Sequence, residues 1–151
     1  MDNKVCFLFG HSTAPYQVRF SIEDAAEQYY LKYGIRTFIV GNRGSFDSCA
    51  ATAIKSLKEK YNDIVLLMLL AYHPAERKVE LSPGFDGSFY PPLEGVPRRY
   101  AIVRANRYMV DNADGVICYS CHGGNSGTLL RRVHRRQSLE NIPVTNIAEP
   151  G

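Results

Sequence analysis

Three segments of the chain combine glycine with hydroxyl, amide or imidazole side chains: Gly10-His11-Ser12-Thr13-Ala14-Pro15, Gly41-Asn42-Arg43-Gly44-Ser45, and His122-Gly123-Gly124-Asn125-Ser126-Gly127-Thr128. Glycine lets a backbone approach a ligand closely, N–H groups at a helix start attract anions, and hydroxyls add donors. Such loops suit a phosphate group, and the same residue types also make ordinary strand-to-helix turns. Two familiar phosphate signatures are missing from the sequence. There is no G-x-x-x-x-G-K followed by Ser or Thr, and Gly123 to Gly127 neither keeps G-x-G-x-x-G spacing nor follows the first strand. A P-loop nucleotidase and an ordinary nicotinamide dehydrogenase are therefore not expected.

The titratable residues near these loops are His11, His122, Asp47, Asp111 and Asp114. The two histidines suit donors or proton shuttles facing one ligand, or caps of their own turns. Asp47 suits the first turn of a helix or a ribose hydroxyl, whereas Asp111 and Asp114 read as the end of a helix. No Ser-His-Asp order, paired-carboxylate signature or metal cluster is legible, so the residues alone do not establish catalysis. Cys118-Tyr119-Ser120-Cys121-His122 matches the C-x-x-C-H pattern of haem attachment. That attachment belongs outside the cytoplasm, zinc would need a second ligand pair, and strand residues three apart face opposite sides. A buried Cys118 and a loop Cys121 are expected instead, with no metal and no cofactor.

Between Val96 and Gln137 stand eight arginines (Arg98, Arg99, Arg104, Arg107, Arg131, Arg132, Arg135, Arg136) against two acids. A planar guanidinium forks onto phosphate or carboxylate, which fits an anionic ligand or an acidic partner; a solvated helix face fits equally. Arg131/Arg135 and Arg132/Arg136 are like-charge pairs four apart, unfavourable unless something anionic lies opposite. Together with Phe85, Phe89 and Tyr90 in a proline-rich segment, they predict a homo-oligomer, since arginine and aromatics are enriched in interface cores.

The elements that position these residues follow from periodicity. Apolar β-rich runs at Lys4–Phe9, Thr37–Val40, Ile64–Leu70, Gly115–Tyr119 and Val144–Ile147 predict five strands. Helical spacing over Tyr16–Tyr33, Phe46–Tyr61, Pro97–Asn112 and a segment capped by Asn125 or Ser126 predicts four helices. The continuous run from Ile64 predicts a strand buried on both faces, central in the sheet. The segment 74–96, with five prolines from Pro74 to Pro97 flanking or within it, predicts a long loop bearing exposed aromatics. The alternation predicts an α/β fold: a Rossmann-like three-layer sandwich with a five-stranded, mostly parallel sheet and right-handed crossovers. Ligands of such sheets bind beyond the carboxyl ends of strands where strand order reverses, at the three loops above.

The 151 residues, 45% hydrophobic and 22% charged, predict a single domain spanning 1–151. A longest apolar run of eight residues, Ile64–Ala71, is too short to cross a membrane. With no leader-like opening segment, a cytoplasmic location and reduced thiols are expected. A net charge of +3 and no reading motif make nucleic acid an unlikely partner.

The order of motifs resembles the SLOG superfamily, most closely its YpsA-like small bacterial and phage proteins. The resemblance covers about residues 4 to 137 and is carried by the opening strand into Gly10-His11, by Gly41-Asn42-Arg43-Gly44-Ser45-Phe46-Asp47 followed by Ala50-Ala51, and by Arg104-Ala105-Asn106-Arg107-Tyr108-Met109-Val110-Asp111 running into Asp114-Gly115-Val116-Ile117. It implies a Rossmann-like domain that binds nucleotides or nucleotide-derived signals such as ADP-ribose derivatives. It implies ligand contacts from Gly10, His11, Gly41, Asn42, Arg43, Gly44, Asp47, Asn106, Gly124, Gly127 and Thr128; the loop chemistry above adds Ser12, Gly123, Asn125 and Ser126, and Arg107 is a further candidate contact. The related cytokinin-activating phosphoribohydrolases carry a P-G-G-x-G-T-x-x-E loop. Here the corresponding stretch has one extra residue before Gly127-Thr128, and Arg131 stands where that loop has its acid. A binding protein that senses, carries or sequesters its ligand is expected, with a nucleotide N-glycosidic hydrolase or transferase as the alternative.

Overall fold

The computed structural model describes residues 3–120 and 127–148. In chain order the elements are β1 (Val5–Gly10), α1 (Val18–Tyr33), β2 (Thr37–Val40), α2 (Ser45–Lys60), β3 (Val65–Leu69), β4 (Gly87–Phe89), a 3₁₀ turn (Arg98–Tyr100), α3 (Ala101–Asn112), β5 (Gly115–Tyr119), α4 (Gly127–Glu140) and β6 (Val144–Asn146). The strands form one sheet in the order β4-β3-β2-β1-β5-β6, every pair parallel. Alternation along β1 builds the layers. Cys6 and Leu8 face a core shared with α1 and α2, while Phe7 and Phe9 face a second core shared with α3 and α4. Each fully buried Phe, Leu or Ile contributes roughly 1.5–3 kcal/mol, so both layers are held to the sheet by area rather than by directed bonds. This is a Rossmann-like α/β sandwich.

The sheet has six strands rather than five. The extra strand, Gly87–Phe89, lies inside the segment read as a long loop and pairs with β3 through Leu67↔Gly87 and Leu69↔Phe89. Three residues are too few to show a period, and Pro83 and Pro91 on either side mark the region as irregular. Its presence moves β3 to one strand in from the edge, so the continuous apolar run does not mark the centre, which β2 and β1 occupy. The part of the segment just before β4 is pinned to α2 and β3. Lys55 Nζ donates to Ser82 Oγ at 3.0 Å, Lys58 Nζ donates to the Gly84 carbonyl at 2.8 Å and pairs with Asp86, and Leu66 N–H donates to Asp86 Oδ2 at 2.8 Å. Phe85 packs on the α1–α2 core, and Phe89 and Tyr90 on the α3–α4 core. The aromatics read as exposed are half-buried against their own sheet.

Asp111 and Asp114 stand at the end of α3, as expected. Val5 N–H donates to Asp114 Oδ2 at 2.8 Å, which fixes Asp114 at the amino end of β1, opposite the carboxyl edge where the loops meet. Asp111 receives a fork from Arg132 at 2.5 and 2.8 Å. Among the described residues, no helix is long and apolar enough to cross a membrane.

Candidate functional site

The chain leaves β1 toward β2 on one side and returns through β5 on the other, so strand order reverses between β1 and β5. In parallel sheets that reversal opens a crevice at the carboxyl edge, because successive crossovers diverge onto opposite faces. The β1–α1 and β2–α2 loops meet there. Ser45 N–H donates to the Ser12 carbonyl at 2.9 Å, and Ser45 Oγ donates to the Ala14 carbonyl at 2.5 Å. Their closeness explains two glycines. A Cβ on Gly44 would lie 2.6 Å from Ser12 Cβ, and one on Gly10 would lie 2.6 Å from the buried Phe46 ring. Internal packing alone requires glycine at both positions.

Asp47, in the first turn of α2, turns its carboxylate back onto the loop. Its Oδ2 accepts the Arg43 N–H at 2.8 Å, and a Cβ on Gly41 would come within 2.9 Å of that oxygen. Burial raises the Asp47 pKa from its ordinary value, against the pull of the Arg43 N–H, the Arg43 charge and the Gly44 N–H. A carboxyl lining a cleft offers hydrogen-bond acceptors, which suits a ribose hydroxyl.

The cleft, ≈ 230 Å³, is lined by Gly10, Gly41, Arg43, Asp47 and Asn106 together with apolar Phe7, Leu8, Phe9, Leu69, Ala71, Ile102, Ala105 and Leu129. A neighbouring hollow of ≈ 490 Å³ shares Gly41, Arg43 and Asp47 and adds Asn42 and Gly44. Seven of the expected positions thus line one or other of these two adjoining hollows. His11 stands beside it, its N–H bonded to the Tyr119 carbonyl at 3.1 Å and its ring edge-on to Tyr119. Ser12 serves the loop contact just described. Arg107 lines neither hollow, because on α3 it is Ile102, Ala105 and Asn106 that turn toward the cleft. Thr128, at the start of α4, accepts from Arg131 at 3.3 Å. Gly127 opens α4; Gly123, Gly124, Asn125 and Ser126, with Cys121 and His122, lie outside the described residues. Cys118 is buried in β5.

Two groups at this edge were not legible in the sequence. The apolar walls have the composition of core, and only the sheet order shows that Phe9, Leu69, Ile102 and Leu129 also face a cavity. The segment after β3, Ala71-Tyr72-His73, lacks the glycine-hydroxyl signature of the other loops, yet it stands at the same edge. Its signal was position alone. Comparison with protein-family models and with curated proteins finds no match to this chain.

Proposed function

We propose that the chain binds a nucleotide-derived anion of the ADP-ribose type in this cleft and releases it chemically unchanged, as a sensor, carrier or sequestering protein. The observation that carries the reading is the convergence of Gly41, Arg43, Asp47 and Asn106, from the β2–α2 connection, the first turn of α2 and α3, on one apolar-walled cleft at the strand-order reversal. Apolar walls suit the faces of a base, the Asp47 carboxyl and Asn106 amide suit hydroxyl or ring polar atoms, and a guanidinium suits phosphate. The resemblance to the SLOG superfamily points the same way.

One observation favours the alternative, an N-glycosidic hydrolase: a carboxyl whose pKa is raised by burial inside a cleft is a common mark of acid–base chemistry. Against it, Asp47 is the one acid among the described residues that line the cleft. Calorimetric titration with ADP-ribose, followed by chromatography of the mixture, tests both. Saturable binding with intact ligand is expected. Release of free adenine in proportion to protein, lost in Asp47→Asn, would replace this reading with the hydrolase.

A further inference from the structure

Three arginines from three separate segments surround the ring of Tyr72. The guanidinium carbon of Arg43, from the β2–α2 loop, lies 5.7 Å from the ring centroid; that of Arg77, in the β3–β4 connection, 4.7 Å; and that of Arg98, opening the 3₁₀ turn before α3, 5.5 Å. An aromatic face attracts each cation singly but does nothing to cancel their mutual repulsion, which at such separations is only partly screened. Among the described residues none of the three makes an ion pair. Glu76 and Glu94 line the adjoining hollow, ≈ 520 Å³, without coming within ion-pair distance. The arrangement concentrates positive charge on an ordered platform, with Tyr72 itself half-buried and its neighbours Leu69, Leu70 and Ala71 packed in the core.

Position decides what this platform faces. Arg43 lines the cleft described above and also the small hollow that holds Tyr72 and Arg77, so charge cluster and cleft share a wall. Guanidinium groups fork onto phosphate oxygens, and several converging from different directions match a group with oxygens on several sides. A concave approach from the cleft favours a small ligand over an extended acidic chain.

We infer that Tyr72 with Arg43, Arg77 and Arg98 forms a diphosphate subsite, which takes the charged part of the ligand while the apolar cleft takes its nucleoside. The inference deepens the function proposed above and rests on it for the nucleoside half only.

Inorganic pyrophosphate and ADP-ribose are the probes, titrated calorimetrically into wild type, Arg77→Gln/Arg98→Gln, Asn106→Leu, and the charge-matched control Arg99→Gln/Arg104→Gln. Arg99 lies over Tyr100 rather than Tyr72, and Arg104 is exposed on α3, so the control removes the same charge elsewhere. All substitutions except Asn106→Leu are at exposed side chains, and circular dichroism checks that each variant folds. The Arg77/Arg98 variant should lose about ten-fold or more in affinity for both probes and show a shallower salt dependence. Asn106→Leu should weaken ADP-ribose and spare pyrophosphate. Equal pyrophosphate binding by wild type and the Arg77/Arg98 variant, or an equal loss in the control, would overturn the subsite. ADP-ribose bound with wild-type affinity by the Arg77/Arg98 variant would overturn it while leaving the cleft intact. Pyrophosphate binding that depends on Arg77 and Arg98, without any ADP-ribose binding, would support the subsite and remove the cleft reading.

Discussion

Asp47 does two jobs with one carboxylate: it holds the loop before α2 through the Arg43 N–H and it lines the cleft. Burial, the largest influence on it, favours the neutral acid. A carboxyl with a folded pKa above its unfolded value binds its proton more tightly in the folded protein. Stability therefore falls as pH rises from the ordinary aspartate value through the raised one, and is level above that window. Asp47→Asn keeps an acceptor for the Arg43 N–H and removes the titration. Its stability in urea should match wild type near pH 3 and exceed it at pH 7. A variant that grows weaker than wild type as pH rises would mean that the Arg43 charge and backbone donors outweigh burial. The glycines teach a related lesson at this scale. In the sequence Gly10 and Gly44 read as places for a ligand to approach, but Phe46 and Ser12 occupy that space. A one-dimensional pattern cannot say whether a missing side chain makes room for a ligand or for the protein itself.

Among the elements, α3 and α4 are joined by Arg136 as well as by the Arg132–Asp111 pair. Arg136 Nη1 donates to the Val110 carbonyl at 2.9 Å and to the Ala113 carbonyl, while Nε and Nη2 fork onto Glu140 at 2.9 and 3.1 Å. The C-terminal carbonyls of a helix are unpaired and carry partial negative charge; α3 has no basic residue of its own in its last turn, and α4 supplies the cation. Arg136→Leu should cost roughly 1–3 kcal/mol in urea unfolding by stranding these carbonyls, whereas Arg135→Leu, at an exposed position, should change little. Equal effects would show that the contact is incidental. Strand and helix existence was legible because β1, β2, β5 and the helices carry enough residues to display a period. β4 was not, at three residues between prolines, and neither was the rank of β3 in the sheet, which depends on β4. At the site, the loops after β1 and β2 announced themselves by composition. Tyr72 and Arg77, after β3, are ordinary residues until the fold sets them beside Arg43 and Arg98.

For the molecule as a whole, most of the residues that suggested self-association have partners within the chain. Arg132 and Arg136 lie against Asp111 and the end of α3, which relieves the like-charge spacing of that pair. Phe89 belongs to the edge strand, with its ring centroid 6.1 Å from that of Tyr108 on α3, and Tyr90 packs edge-on against His73 at 5.3 Å. The edge strands β4 and β6 are each only three residues long, which leaves little unpaired backbone for another copy to extend the sheet. These placements change what a substitution at Phe89 reports. Phe89→Asp puts a charge into a half-buried apolar contact between β4 and α3, so it should lower unfolding stability by roughly 1.5–3 kcal/mol through lost burial and desolvation of the carboxylate. Light scattering at micromolar concentration should give the same mass for the variant as for wild type, whatever that mass is, because the ring faces its own sheet. A wild-type multiple of 17.0 kDa that collapses to the single-chain mass in Phe89→Asp, with unfolding otherwise unchanged, would instead make the β4 edge a contact between copies.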